Sequence, residues 1–375
     1  MSVEIRKVTS EKEFKQFIWF GINLYKDNKY AAPPLFIDDK LNLTKGKNPA
    51  MDFCDTIFFL AYKDGKIVGR IAGIVNPEAN RTWRQKYARF GWIDFIDDVE
   101  IADALLNAVE KWAKEKGLEA VHGPLGFTDF DHEGMLVDGF DKRGTMASIY
   151  NHPYYPQHLE SCGYVKDTDW VEYLIKIPET FPEKYFRMAD IVGKKYNLTV
   201  KKFKSRRELI KNYSYKIFDL INHTYNHLYG YSNLNKEQID YYISIYLSFL
   251  RLDTICIVIN TEDDVVGLGI SIPSLTYALQ KAKGRIFPTG WFHLLKALNK
   301  NDTIDLYLMA IHPDYQNKGV NSLMFAYLMP NYVKNGYRYA ESNPELETNI
   351  KISAQWDSFE YTQHKRRRVF IKQLK

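Results

Sequence analysis

Apolar runs and turn residues divide the chain into strands and helices in mixed order. Residues 58–75 read as a β-hairpin, with two apolar runs flanking the Asp64-Gly65 turn pair. Residues 255–272 read as a second hairpin with a longer turn. Residues 90–96 read as a strand and residues 101–116 as a helix. Ile101, Leu105, Ala108, Val109 and Trp112 form one apolar stripe at helical spacing, and Gly117 suits the helix end. Further strands are expected at 119–122, 171–177, 306–311 and 337–340. A helix is expected to start near Glu183, after Pro178 and Pro182 break the preceding strand. A helix from Gly319 places Leu323, Met324, Tyr327 and Leu328 on one face, with Pro330 expected to kink or end it.

The pattern occurs twice. Gly69 and Gly267, in the second strands of the two hairpins, stand 198 residues apart. Cys162-Gly163-Tyr164 follows a short helix at 156–161, and Asp357-Ser358-Phe359 follows a helix expected at 347–356. Tyr164 and Phe359 are 195 residues apart. Two unrelated features with nearly one offset indicate an internal duplication. The expected fold is α/β, two tandem domains at residues 1–178 and 179–375, each a twisted mixed sheet flanked by helices.

Composition narrows the function classes. The chain has 375 residues and a net charge of +5, which suits an anionic cofactor without demanding nucleic acid. Its 27 Tyr, 22 Phe and 7 Trp allow large cores or an apolar-aromatic groove. Cys54, Cys162 and Cys256 are scattered, with no spacing for a metal. The N-terminus lacks an apolar signal core, and no apolar run reaches transmembrane length, so a cytoplasmic protein is expected, with peripheral membrane contact left open.

The chemistry concentrates after the strand at 306–311. His312-Pro313-Asp314-Tyr315 leads into Gln316-Asn317-Lys318-Gly319-Val320-Asn321 and then a helix. A glycine-bearing loop opening a helix leaves N–H groups free for a phosphate. At the corresponding place in the first half stand Asp97, Asp98 and Glu100, which start a helix and repel a pyrophosphate.

The loop resembles the acyl-CoA loop of the GNAT acetyltransferase superfamily, Gln/Arg-x-x-Gly-x-Gly/Ala. Gln316 and Gly319 fit, and Asn321 departs from it. Asn tolerates a left-handed backbone, so the turn is expected to survive there. The chain is also similar to a bacterial group of tandem GNAT-like proteins, through Gly123-Pro124, residues 134–140 (GMLVDGF) and residues 150–155 (YNHPYY). Some relatives look like acyl-CoA-dependent N-acylators of lipid amines. Fem-type aminoacyltransferases and N-myristoyltransferases share the double fold.

The resemblance implies transfer of an acyl group from acetyl-CoA or another acyl-CoA to a small-molecule or lipid amine. It implies that the backbone of Met309, Ala310 and Ile311 holds the pantetheine arm and the oxyanion. The N–H groups of Asn317, Lys318, Gly319, Val320 and Asn321 would hold the pyrophosphate, with Gln316 in the motif and Asn349 near the thiol. The superfamily's usual Tyr acid falls on Trp356, which cannot serve as one. Tyr361 is the substitute, and Glu341 leads the base candidates, followed by His312, Asp131, His132 and Glu133. Tyr150, Asn151, Tyr154 and Tyr155 are expected to contact substrate or join the halves. Loss of the acid also motivates a rival reading, a non-catalytic GNAT pair acting as a binding or regulatory module.

Two stretches carry competing readings. Residues 287–298 form an aromatic, amphipathic helix expected to face the core, with a membrane surface or acyl groove as the alternative. The basic run His364-Lys365-Arg366-Arg367-Arg368 is expected to be a charged edge strand.

Overall fold

The computed structural model of the protein describes residues 2–247, 250–349, 356 and 358–375. Its elements form two similar series. The first runs β1 (Glu4–Lys7), α1 (Glu11–Tyr25), α2 (Phe36–Asn42), α3 (Ala50–Phe53), β2 (Asp55–Lys63), β3 (Lys66–Val75) and α4 (Pro77–Thr82). It continues with β4 (Tyr87–Phe95), α5 (Val99–Glu115), β5 (Ala120–Gly123), β6 (Met135–Asp138), α6 (Tyr154–Ser161) and β7 (Val165–Lys176). The second runs α7 (Glu183–Tyr196), β8 (Thr199–Val200), α8 (Arg206–Tyr225), α9 (Lys236–Tyr242), β9 (Ile255–Ile259), β10 (Val265–Pro273) and α10 (Thr276–Ala282). It ends with α11 (Gly290–Asn299), β11 (Thr303–Ile311), α12 (Val320–Lys334), β12 (Tyr339–Ser342), β13 (Glu345–Leu346) and β14 (Glu360–Gln373).

Both hairpins form where the turn residues call for them, β2 with β3 and β9 with β10. The matched glycines explain the echo. A Cβ on Gly69 would lie 2.7 Å from Leu105 on α5, and one on Gly267 would lie 3.1 Å from Val320 on α12. Each glycine lets the helix that follows the central strand settle onto the sheet.

One sheet runs through both halves in the order β1-β2-β3-β4-β5-β14-β7-β12-β11-β10-β9-β8. The halves exchange their last strands. β14, from the end of the chain, pairs antiparallel with β5 of the first half, and β7 pairs antiparallel with β12 of the second. Between them β7 and β14 form a long antiparallel pair, from Lys176 opposite Glu360 to Val165 opposite Ile371.

This placement overturns the edge-strand expectation for the basic run. β14 is internal, and Lys365 and Arg367 are buried. Lys365 Nζ lies 2.6 Å from both Glu172 and Glu341, and Arg367 pairs with the other oxygen of Glu172. Arg366 and Arg368 pair with Asp169. Alternation along the strand sends these charges to both faces, and each face supplies carboxylates.

Three other expectations change. α12 continues through Pro330 to Lys334. Residues 347–349 form a turn after β13, and the rest of the helix expected at 347–356 falls mostly outside the described residues. The helix at 287–298 is not core-facing: Gly290 is the only buried residue of α11.

Candidate active site between the halves

The site begins as a break in the sheet. β11 and β12 pair in parallel only from Thr303 opposite Tyr339 to Leu306 opposite Ser342. A register shift in the β10–β11 ladder then makes Tyr307 an extra residue, with Ile270 opposite Leu308 and Ser271 opposite Leu306. A bulge bends its strand, and β11 leaves β12 at this point.

The open edge of β11 carries N–H groups. His312 N donates to Val266 O at 2.9 Å. Alternation therefore turns Leu308 and Ala310 toward β10, and Met309 and Ile311 toward the opening. The carbonyls on that side are already covered by side chains. Asn343 Nδ2 donates to Tyr307 O at 2.9 Å, Tyr225 Oη to Met309 O at 2.9 Å, and Gln316 Nε2 to Ile311 O at 3.1 Å. Among the described residues, the amides of Met309 and Ile311 are left as the polar groups of this edge.

A cavity of about 200 Å³ passes through the opening. On the α12 side it is lined by Phe325, Leu328, Met329, Tyr332, Glu345 and Trp356. On the α8 side it is lined by Tyr225, Leu228 and Tyr229, and by Asp129, Asp131 and Glu133 from the first half. The first-half loop is fastened across the join. Arg89 Nη2 donates to Gly230 O at 2.9 Å, Trp83 Nε1 donates to Tyr231 O at 2.8 Å, and Thr128 and Tyr242 share a hydroxyl bond of 2.7 Å.

The carboxyls around this cavity are tuned upward. Burial, reinforced by the charge of Asp131, raises Asp129 to about 7 against the pull of Arg89. Burial and the charge of Asp129 lift Glu133 well above its ordinary value. Asp131 is also raised by burial, yet it is spoken for: its oxygens accept from Phe127 N, Thr128 N and Asn42 Nδ2 at 2.8–3.0 Å. Glu345, on the opposite face, is raised to about 7 by burial. Trp356 Nε1 donates to its Oε1 at 3.2 Å, and its Oε2 is buried with no partner among the described residues.

The loop after β11 makes a left-handed turn into α12. Asn317 and Gly319 are left-handed, with φ of 60° and 78°. Asn321 is not: it lies in the first turn of α12. A Cβ on Gly319 would lie 3.1 Å from Val192. α12 has no side-chain cap; Ser322 N donates to Gly319 O at 2.9 Å, and no side chain among the described residues caps the amides of Val320 and Asn321. Lys318 stands over the rings of Tyr196 and Tyr315. In the first half, Asp98 caps α5 itself and pairs with Lys63 at 2.7 Å, and Asp97 binds His158 at 2.8 Å.

The corresponding opening in the first half, between β4 and β5, is closed by its own side chains. Only a cavity of about 90 Å³ remains. Arg70 fills it, paired with Asp94 at 2.7 Å, in space that a Cβ on Gly21 would occupy. Tyr25 and Tyr155 bridge hydroxyls there at 2.8 Å.

Of the sequence candidates, Met309, Asn349, Trp356, Asp131 and Glu133 line the larger cavity. Tyr150, Asn151 and Tyr155 line the smaller one, where Asn151 bonds both backbone groups of Leu136, while Tyr154 donates to Phe95 O. Glu341 and Tyr361 do not line the larger cavity. Glu341 is held in the ion cluster by Lys365 and by His364 at 2.6 Å, and Tyr361 lies on β14 against Tyr173. His132 bonds Met146 O, and His312 caps the short turn after β11. Sequence reasoning missed Asp129, Tyr225, Tyr229, Tyr332, Asn343 and Glu345. Only Asp129 carried a signal, its place in the acidic run 129–133.

No protein-family model matches the chain. It is 25% identical over 380 residues to protein YghO of Escherichia coli K12, covering 99% of this chain and 95% of that protein. It is 22% identical over 378 residues to a bacterial ceramide synthase of Caulobacter vibrioides, covering 98% and 96%. Among solved structures, a tandem GNAT protein from the clavulanic acid biosynthesis pathway matches with a TM-score of 0.55 at 11% identity, over 100% of this chain and 99% of that one. A GCN5-related N-acetyltransferase from Sphaerobacter thermophilus matches with a TM-score of 0.52 at 10% identity, over 100% and 96%. The duplicated elements, the bulged and splayed central strand and these likenesses together establish a tandem GNAT (GCN5-related N-acetyltransferase) fold.

Proposed function

We propose that the protein transfers an acyl group from an acyl-CoA thioester to the amino group of a lipid amine, in the cytoplasm where such thioesters are made. The observation that carries this reading is the cavity through the β11–β12 opening, with an N–H edge in its wall and titratable carboxyls on both faces. The residues present fit an acyl-CoA. The left-handed turn at Asn317 and Gly319 and the open end of α12 suit a pyrophosphate. Phe325, Leu328, Met329 and Tyr332 suit an apolar chain. A thioester supplies an activated acyl group, which the amine takes with loss of the thiol.

The chain's own groups divide the work by face. On the α8 side the Asp129–Glu133 pair holds the amine and accepts its proton as the C–N bond forms. Asp129, near 7, is the member ionised in part of the population at neutral pH. The Met309 amide meets the charge that develops on the acyl oxygen. On the α12 side Glu345 gives its proton to sulfur as the C–S bond breaks. It takes the role that Trp356, an indole, cannot perform. The likeness to a ceramide synthase supports a long-chain amine as acceptor, because a ceramide is an N-acylated long-chain amine.

The test is calorimetry with acetyl-, octanoyl- and palmitoyl-CoA, followed by mass spectrometry of amide formed from a long-chain amine. Binding of an acyl-CoA and formation of amide are expected. Asp129→Asn with Glu133→Gln should remove amide formation and leave CoA affinity within about twofold, the pair being on the amine side. A folded protein that binds no CoA species would sink the reading. Binding without turnover across a broad amine panel would favour a binding module.

A further inference from the structure

We infer that the α10–α11 hairpin is a membrane-docking surface that seats the protein on an anionic lipid bilayer. The inference goes beyond the transfer reaction and stands without it, because it rests on a different part of the molecule.

α11 and the turn before it offer an apolar face that no described residue covers. Phe287 is 75% exposed, Phe292 54%, Leu295 51% and Trp291 45%. The opposite side is what packs: Ile286 and Leu294 join Leu279 and Ala282 of α10 against Leu35 and Ala32 of the first half. The hairpin is thus anchored from below, and its outward side chains are a deliberate excess over what the core needs. Three large apolar groups on the ten residues of α11, with Phe287 just before it, are not the scattered exposure normal for a surface.

Charge identifies the occupant. From Thr276 to Lys300 the chain has five Lys or Arg residues, Lys281, Lys283, Arg285, Lys296 and Lys300, and no Asp or Glu. Lys283 pairs with Asp27 at 2.7 Å and Arg285 stacks over Trp19. Lys281, Lys296 and Lys300 make no ion pair among the described residues. Aromatic side chains that can sit at headgroup depth, on a segment that also carries these three cations, match a bilayer bearing anionic headgroups. Another exposed apolar group, Phe186, Met188 and Ile191 on α7, is interleaved with Arg187 and Asp190 and lacks that one-signed charge.

Vesicle flotation of the full chain tests this. The protein is expected to float with phosphatidylcholine vesicles containing phosphatidylglycerol, to bind pure phosphatidylcholine at least tenfold less well, and to release as salt is raised. Phe287→Ser with Trp291→Ser and Phe292→Ser should lower binding at least tenfold with an unchanged melting temperature, since all three are exposed. Lys281→Glu with Lys296→Glu and Lys300→Glu should abolish the preference for anionic vesicles. Absence of flotation by the folded wild-type chain would overturn the inference. So would unaltered binding by both triple variants, or loss of binding on Phe186→Ser with Ile191→Ser instead. Dimerisation through this face, seen as a wild-type dimer that the Ser variant makes monomeric in lipid-free buffer, would overturn it as well.

Discussion

The indole of Trp356 donates to the carboxyl of Glu345 at 3.2 Å, on the α12 face of the cavity. The residue that cannot act as an acid therefore holds one that can. Burial raises Glu345 to about 7, and the indole bond works the other way by favouring the charged form. Glu345→Gln is expected to lower kcat about 100-fold, the usual range for losing a proton donor, with CoA affinity unchanged by calorimetry. The pH–rate limb near 7 assigned to this acid should vanish. Trp356→Phe removes the bond that favours the carboxylate, so the same limb should move to higher pH. A merely structural Trp356 would not move it.

Gly319 starts α12 in a left-handed conformation with Val192 close by. Gly319→Val adds a branched side chain where φ is positive, a cost of roughly 1–2 kcal/mol in stability, and crowds the open amides. Calorimetry should show CoA affinity reduced at least tenfold. Asp98→Ala, at the matching place in the first half, should leave CoA affinity unchanged while lowering the melting temperature, because Asp98 caps α5 and pairs with Lys63.

Lys365 is buried between Glu172 and Glu341 and also donates to Arg143 O at 3.0 Å. Lys365→Met leaves two buried carboxylates short of a cation. Breaking a buried pair from one side costs about 3–5 kcal/mol, and urea unfolding is expected to show a loss of that order. Deleting residues 360–375 should be worse, since β14 joins β5 to β7. Insoluble or unfolded protein is the expected outcome, by circular dichroism and gel filtration.

Stability should fall as pH rises from about 4 to about 7 and level off above that. Glu345, Asp129 and Asp305 are each raised to about 7 by burial, above ordinary values of 4.5, 3.8 and 3.8. Between those values the folded state holds protons that the unfolded chain has released, so the stability fully present below about pH 4 is lost progressively until pH passes about 7. Glu172 works oppositely. Its carboxyl is held at about 2 by Arg367 and Lys365 against the burial that would raise it, so its contribution is lost only in acid. Melting temperatures across this range, with Asp305→Asn to flatten the slope, provide the measurement.

Local patterns carried most of the elements. The Asp64-Gly65 turn, the stripe from Ile101 to Trp112 and the loop from Gln316 to Gly319 each encode their conformation within a few residues, where spacing and backbone preference decide. The same logic failed for the basic run at 364–368. Charge by itself points to solvent, and only the carboxylates of β7 and β12, distant in sequence, make burial tolerable. It failed also for α11, whose amphipathic pattern tells that one face differs from the other without telling what covers it.

From the sequence alone came the duplication, the α/β class and the place where a glycine-bearing turn follows a central strand, because these depend on periodicity and on glycine. Tertiary structure decided which acids and tyrosines meet at that strand. Asp129 and Glu133 come from one half, Tyr225 and Glu345 from the other, and the exchange of β7 and β14 brings them to one cavity. Burial there raises the carboxyls, and burial is a property of the assembled fold that no stretch of residues carries by itself.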